Sequence, residues 1–168
     1  RIPGEENAWY VHDRPGLANF QGYDIAMIPW ITAETYADTM NFIKNTSAQV
    51  AMGHLEIKGF EMHSGIMSDH GMEKTLFNNF DMVMSGHFHK RSSDGHINYL
   101  GCPYEMNWAD SGDPKGFHTF DIKTRELEFI PNTRSMFMKV KYDDRTDMDY
   151  LGMDLSHFEG KFIKVFVE

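Results

Sequence analysis

Three short apolar runs mark the strands of a sheet in the first half of the chain. They cover residues 23–28, 50–52 and 81–84, and a proline or a glycine follows each of them within two residues. Short apolar runs bounded in this way are typical of buried strands. Apolar residues at helical spacing lie between successive runs, so strand and helix alternate. This order predicts a parallel sheet.

The connections between these runs carry two predicted helices. In the first connection, Thr32 is an expected N-cap, and helix-spaced apolar residues continue to about Lys44. In the second, apolar residues between 72 and 80 mark a short amphipathic helix. Right-handed crossovers place such strands side by side, with their carboxyl ends at one edge of the sheet. Residues that follow the strands are therefore expected to meet at that edge.

The pattern changes to antiparallel β structure in the second half. Asp94-Gly95 is a strong hairpin signal, and further turn residues separate alternating segments. The predicted strands are 96–100, 116–121, 126–130 and 136–142. Residues 143–154 are charged and weakly patterned, which indicates a surface loop or linker. Residues 1–22 are also weakly patterned, with turns at prolines and glycines.

Composition narrows the possible functions. A chain of 168 residues suggests one domain or slightly more, and its formal net charge of -9 argues against autonomous binding of nucleic acid by charge alone. Metals could supply positive charge to such a chain. The one cysteine, Cys102, excludes an internal disulfide and fits a reducing cytosol. No run approaches the roughly 20 apolar residues of a membrane span, and no signal peptide is visible.

Three of the nine histidines lie at positions in the sequence that are typical of ligand-binding residues. His54 and His87 each follow a glycine at or just beyond the end of a predicted strand, where ligands collect in open α/β sheets. If the segment is extended, His87 and His89 project to one face while Phe88 points into the core. The remaining histidines are expected to be incidental: His12, His63, His70, His96, His118 and His157.

Histidine is the commonest imidazole metal ligand, so a metal site is the leading hypothesis. The three side chains could complete one metal site, or supply the nitrogen ligands of a two-metal site whose carboxylates come from elsewhere. Asp69, Asp110 and Asp113 could each serve as a base, but a solvated carboxylate is expected for each. No nucleophile elbow, phosphate-binding loop or dinucleotide fingerprint is present in the sequence.

At these residues the chain resembles the calcineurin-like metallophosphoesterases, in which a histidine after one strand is followed later by Gly-His-x-His. Further phrases resemble the SbcD-type exonuclease subunits of double-strand-break repair, and among these the recombination endonuclease subunit of T-even-like phages. The sequence segments on which the resemblance rests are residues 28–30, 53–60, 85–89, 100–104, 113–117 and 128–132. The similarity runs from about Tyr23 to Asn132.

The resemblance implies a partial four-layer αββα sandwich that cuts DNA phosphodiesters with two divalent metals, usually Mn. His54 and His87 would bind one metal and His89 the other. In the family, the remaining ligands, the bridging aspartate and the catalytic histidine come from an upstream half that this sequence does not contain. We therefore expect the C-terminal half of a phosphoesterase domain over 1–134 and the start of a DNA-capping domain over 135–168.

The resemblance also implies partners and a location. DNA would be the substrate, an SMC-like ABC ATPase the partner subunit, and a homodimer would form through the absent half, in the cytoplasm of the cell or phage host. This piece alone is expected to bind Mn poorly and to cut nothing. Two alternatives stay open: a phosphoesterase of nucleotides or phosphoproteins, and a non-catalytic module in which the three histidines hold one structural metal.

Overall fold

The computed structural model describes residues 11–63, 65–143, 145 and 152–167, which contain one α-helix and twelve strands. The helix α1 spans Tyr36–Asn45, and single turns of 3₁₀ helix lie at Lys74–Phe77 and Ser156–Phe158. The strands are β1 (Gly16–Phe20), β2 (Tyr23–Ile28), β3 (Val50–Gly53), β4 (Glu61–His63), β5 (Ile66–Met67), β6 (Met82–Ser85), β7 (Ser92–Ser93), β8 (Ile97–Tyr99), β9 (Gly116–Phe120), β10 (Leu127–Pro131), β11 (Phe137–Tyr142) and β12 (Phe162–Val167).

The chain divides into two compact units that interleave along the sequence. The first unit holds the residues up to Lys58, together with Asp69–His87 and Ser93–Asn98. The second holds Gly59–Ser68, Phe88–Ser92 and the residues from Tyr99 onward. Because each unit is assembled from separate segments, no single cut in the sequence separates them.

The main sheet forms the framework of the first unit, with strand order β1-β2-β3-β6-β8-β7. β3 pairs in parallel with both β2 and β6, as the alternation of strand and helix predicted. The register places Gly53 beside Ile28 on one side and beside Ser85 on the other. The three strands therefore end level with one another, and the residues that follow them begin at the same edge.

Burial on both faces explains why these strands consist of almost continuous apolar residues. The helix α1 and the loops that follow the strands also contribute buried residues. The core of the first unit includes Ile25, Ala26, Ile28, Ile43, Val50, Ala51, Leu55, Ile57, Phe77, Phe80, Val83, Met84 and Ile97. This apolar layer gives the ends of β2, β3 and β6 a rigid support.

Three local expectations for the first unit are wrong. The weakly patterned start of the chain contains β1, which pairs antiparallel with β2 through a tight turn at Gln21 and Gly22, where φ is 53° and 89°. The helix begins at Tyr36 rather than after Thr32, because Thr32 and Thr35 hydrogen-bond to each other in a preceding turn. The second predicted helix is only the 3₁₀ turn at Lys74–Phe77.

The second unit contains small sheets rather than one large one. β9 and β10 form the predicted antiparallel hairpin, and the Asp121 carboxylate accepts the backbone N–H groups of Lys123 and Thr124 in its turn. β11 and β12 pair in parallel, so the expectation of wholly antiparallel structure in this half is wrong. Strand pattern alone does not specify the partner of a strand. The charged stretch predicted for 143–154 lies largely outside the described residues.

An aromatic cluster and a buried carboxylate stabilise the loops of the second unit. Phe88 and Tyr99 pack with ring centroids 4.5 Å apart, and the ring centroid of Phe60 lies 4.9 Å from that of Tyr99. The buried Glu105 carboxylate accepts the backbone N–H groups of Met136 at 2.6 Å and Phe137 at 2.8 Å. Phe88 is buried as predicted, which anchors the chain between His87 and His89.

The architecture is α/β with a mixed sheet and few helices, which confirms the predicted fold class at that level. The four-layer sandwich and the boundary at residue 134 stay predictions. No helix within the described ranges combines the length and the apolar character needed to cross a membrane.

Candidate metal centre

The structure brings the rings of His54 and His87 together in the first unit. His54 directly follows β3, and its backbone N–H donates to the Ile28 carbonyl at the end of β2. His87 follows β6 by one residue, after Gly86, whose N–H donates 3.0 Å to the Gly53 carbonyl. The two ring centroids are 5.3 Å apart and nearly perpendicular, at 77°. Level strand ends thus place two imidazoles side by side.

The backbone at His87 differs from the extended segment predicted for His87 and His89. The φ angle of His87 is +80°, in the left-handed region that a residue with a Cβ rarely adopts. The chain therefore turns sharply at this residue, and the alternation of a strand does not apply to the two histidines. Strained backbone of this kind is concentrated at functional sites.

Gly86 permits a close approach of the His54 ring, and its own backbone angles do not call for glycine. A Cβ at this position would lie 3.0 Å from Nδ1 of His54. The absence of a side chain at residue 86 therefore lets His54 lie directly beside the chain that leads to His87. The glycine before the histidine thus has a specific packing role.

Trp30 completes this group and has no predicted role. Its ring centroid lies 5.8 Å from that of His54 and 5.1 Å from that of His87, and the residue is 49% exposed. It follows β2 just as the histidines follow β3 and β6, and that shared position is the signal by which it could have been found. A cavity of about 210 Å³ opens beside it, lined by Trp30, Ile31, Tyr36, His54, Glu56, Gly71 and Met72.

The protonation state of His54 suits metal binding. Partial burial lowers the pKa of His54, and the neighbouring His87 lowers that pKa further by charge repulsion. His54 is therefore neutral at pH 7 and offers a nitrogen lone pair. Neutral imidazole is the form of histidine that binds metals.

His89 lies in the second unit, where it contacts a buried carboxylate. Its Nδ1 is 3.3 Å from both oxygens of Asp110, and Asp110 is only 1% exposed. The expectation of a solvated carboxylate at this position is therefore wrong, whereas Asp69, with 85% of its side chain exposed, fits it. Asp113 is half-buried. Residues distant in sequence enclose Asp110, and this could not be read from its local pattern.

A buried ion pair stabilises the Asp110 carboxylate. Lys115 Nζ donates 2.9 Å to Oδ1 of Asp110, and the backbone N–H groups of Met106 and Asn107 donate to Oδ2 at 2.9 and 3.1 Å. Burial by itself would raise the pKa of Asp110, but the hydrogen bonds from Lys115 and Met106, the Lys115 charge and the His89 contact outweigh it and hold that pKa below its usual value. Asp110 is therefore ionised at neutral pH.

Two further side chains lie near His89. Cys102 offers a sulfur that lies, with the His89 and Asp110 ligand atoms, in a group within 4.8 Å of one another. Burial raises the pKa of Cys102, so its sulfur is a protonated thiol rather than a metal-binding thiolate at pH 7. The ring of His63, a histidine expected to be incidental, lies 6.3 Å from that of His89.

The donor set fits part of a site for a divalent transition metal. Imidazole nitrogen is a common ligand of such ions, while Mn²⁺ also takes carboxylate oxygens. His54 and His87 therefore have the chemistry of the nitrogen ligands of such a site. The assignment of His54, His87 and His89 as metal ligands stays a prediction.

Comparisons with known proteins give two relatives, and no protein-family model matches the chain. Exonuclease subunit 1 of Enterobacteria phage T4 is 36% identical over 140 residues, which is 83% of this chain and 41% of the phage protein. The SbcD subunit of the nuclease SbcCD from Staphylococcus saprophyticus is 31% identical over 98 residues, which is 53% of this chain and 26% of the bacterial protein. The chain thus spans well under half the length of either relative. Over the stretch that it shares with them, it is a relative of the SbcD-type nuclease subunits, as its motifs predicted.

Proposed function

We propose that the protein containing this chain is a Mn-dependent nuclease that hydrolyses DNA phosphodiesters in recombination and double-strand-break repair. The observation that carries the proposal is the pair of adjacent imidazoles at level strand ends, in a chain related to two nuclease subunits. His54 and His87 would hold one metal and His89 the other. The bridging carboxylate, the remaining ligands and the catalytic histidine would come from an upstream segment, and the phosphoesterase domain would be a four-layer αββα sandwich of the calcineurin-like type.

The residues of this chain would act by holding and orienting the metals. Bound divalent metals supply the positive charge that activates water and stabilises the phosphoryl oxygens of the substrate. The neutral His54 ring offers a lone pair at pH 7, and Gly86 leaves room for that ring beside the chain. Trp30 packs against both rings of the pair and would restrict their motion.

The acidic balance of the chain supports a partner in DNA binding. With a formal net charge of -9, the chain offers little electrostatic attraction for a polyanion. We therefore propose that an SMC-like ABC ATPase subunit supplies much of the affinity for DNA. We also propose that the nuclease subunit forms a homodimer through its upstream segment. The complex would work in the cytoplasm, or in that of the host if a phage encodes it.

The test is Mn²⁺-dependent hydrolysis of linear duplex DNA by the full-length protein. We expect His54→Ala, His87→Ala and His89→Ala each to reduce kcat by a factor of about 100 or more, because each removes a metal ligand. The matched control is His157→Ala, which removes an exposed histidine of the same chain.

Two results would count against this function. Hydrolysis of small phosphodiesters or nucleotides with duplex DNA left intact would indicate a different phosphoesterase. One tightly held Zn²⁺ that survives dialysis, without hydrolysis of any phosphodiester, would indicate a structural metal in a non-catalytic module.

A further inference from the structure

We propose that Asp110 and Lys115 are positioning residues for His89, which they hold at both its ring and its backbone. The proposal rests on the proposed function, in which His89 is a metal ligand. Neither residue would touch the metal or the substrate. Their role would be to set which ring nitrogen of His89 is available and to fix the position of the residue.

The first step is the contact between His89 and Asp110. An ionised carboxylate only accepts hydrogen bonds, so at 3.3 Å the Nδ1 atom of a neutral His89 must carry the proton. The lone pair of the ring then lies on Nε2. A carboxylate behind a ligating histidine sets the tautomer in this way and raises the basicity of the ligand.

The second step is the hydrogen bond from Lys115 to the His89 backbone. Lys115 is 4% exposed, and its Nζ donates 3.0 Å to the His89 carbonyl as well as 2.9 Å to Asp110. One ammonium thus connects the backbone of His89 to the carboxylate that orients its ring. A buried lysine needs such partners, because an uncompensated buried charge is strongly destabilising.

The third step is to separate positioning from direct metal binding by Asp110 and Cys102. The Asp110 oxygens already accept from Lys115, Met106 and Asn107, in addition to the contact with His89. A cation between Asp110 and Cys102 would stand beside the Lys115 ammonium and would be repelled by it. The geometry therefore favours a carboxylate that orients a ligand over one that is a ligand.

The experiment measures the His89 tautomer and Mn²⁺ affinity in the full-length protein. Histidine labelled with ¹⁵N reports the protonated ring nitrogen by NMR in the metal-free protein, and electron paramagnetic resonance of free Mn²⁺ reports affinity. In the wild type we expect the proton on Nδ1 of His89. In Asp110→Asn the new amide can donate to Nδ1, so we expect the proton to move to Nε2 and Mn²⁺ affinity to fall about 10- to 100-fold.

Two further variants complete the design. Asp110→Asn combined with Lys115→Met removes both charges of the buried pair, which protects folding, and it should also lose the Nδ1 proton preference. The matched control is Lys74→Met with Asp94→Asn, which removes an ion pair of 2.8 Å in the first unit. This control should leave the His89 tautomer and the Mn²⁺ affinity unchanged.

Defined results would overturn the proposal. An Nδ1 proton and a wild-type Mn²⁺ affinity in the Asp110 variants would show that Asp110 does not orient His89. A loss of affinity in Cys102→Ser equal to that of Asp110→Asn would show a direct metal cluster instead. If the wild-type protein neither binds Mn²⁺ nor cuts DNA, the proposed function fails, while the tautomer in the metal-free variants still decides whether Asp110 orients the ring.

Discussion

His87 adopts a φ of +80°, although it carries a Cβ and lies beside a buried phenylalanine. The left-handed region costs such a residue about 1 to 2 kcal/mol. The rings of His54 and Trp30 contact His87, and this packing offsets part of that cost. Strain held in this way beside a candidate ligand is consistent with a constraint imposed by function rather than by folding.

Comparing two substitutions of His87 isolates this strain. Both His87→Ala and His87→Gly remove the ring, but only glycine adopts the left-handed backbone without steric cost. We expect His87→Gly to be more stable than His87→Ala by about 1 kcal/mol, although glycine usually destabilises relative to alanine. Chemical denaturation of the two variants measures the difference. Greater stability of His87→Ala would show that the backbone at this position is unstrained.

Gly86 gives a second prediction at this scale. Gly86→Ala would place a Cβ 3.0 Å from Nδ1 of His54, so the His54 ring must move by a few tenths of an ångström. We expect a shifted ¹⁵N signal of His54 and weaker Mn²⁺ binding in the full-length protein, with little loss of global stability. Gly16→Ala is the matched control, because nothing lies within 4 Å of its added Cβ. Identical His54 signals in Gly86→Ala and the wild type would contradict the close approach.

The predictability of single residues from the sequence was uneven. The Gly-His steps identified His54 and His87, because a glycine at the end of an apolar run is a local signal. Asp110 is buried against expectation, because its burial depends on Lys115 and on the loop that begins at Met106. The sequence predicts no role for Trp30, because only the level ends of three strands bring it against the histidines. Local pattern thus predicts which residues follow a strand, but not which residues distant in sequence enclose or contact them.

At the scale of elements, Asp94 organises the turn between β7 and β8. Its carboxylate accepts the backbone N–H groups of His96 and Ile97 at 3.1 and 2.9 Å, and Lys74 Nζ donates to it at 2.8 Å. Burial alone would raise the pKa of Asp94, but the Lys74 contact and the two N–H groups outweigh it and hold that pKa below its usual value. The turn is therefore stabilised by the ionised form of Asp94.

This shift predicts an acid-dependent contribution to folding. A carboxyl whose pKa is lower in the folded state binds more protons when unfolded, so its stabilisation is present above about pH 4 and lost as pH falls through the folded-state value. We expect Asp94→Asn to cost about 1 kcal/mol at pH 7 and progressively less below about pH 4. Denaturation of both proteins across this range measures it. A cost of Asp94→Asn that stays constant across this pH range would refute the assignment.

The sequence predicts a strand well where a run of apolar residues marks it. It predicts poorly which strands pair with each other. β2, β3 and β6 follow from apolar runs, because strands buried on both faces need them. The sequence does not predict β1, because a half-exposed strand beside a tight turn carries little apolar signal. Nor does it predict the parallel pairing of β11 with β12, because a strand's own residues do not identify its neighbour.

At the scale of the whole molecule, ligand count and charge determine what this chain can do by itself. The first unit provides two adjacent imidazoles, and the formal net charge of the chain is -9. Metal affinity depends on a full ligand set and on the residues that support it. DNA affinity without metals depends mainly on positive charge. Under the proposed function, both requirements would be met by contributions from outside these 168 residues.

We therefore expect the isolated 168-residue chain to bind Mn²⁺ weakly and to leave linear duplex DNA intact, whereas the full-length protein binds Mn²⁺ and cuts it. Electron paramagnetic resonance of Mn²⁺ and end-labelled DNA hydrolysis compare the two under one buffer. Circular dichroism of the isolated chain establishes that the comparison is between folded proteins. We attribute weak DNA binding to the negative charge of the chain. In the absence of metal, the affinity of the isolated chain for DNA should therefore not increase when the salt concentration is lowered. Strong Mn²⁺-dependent cleavage by the isolated chain would mean that His54, His87 and His89 need no further ligands from upstream.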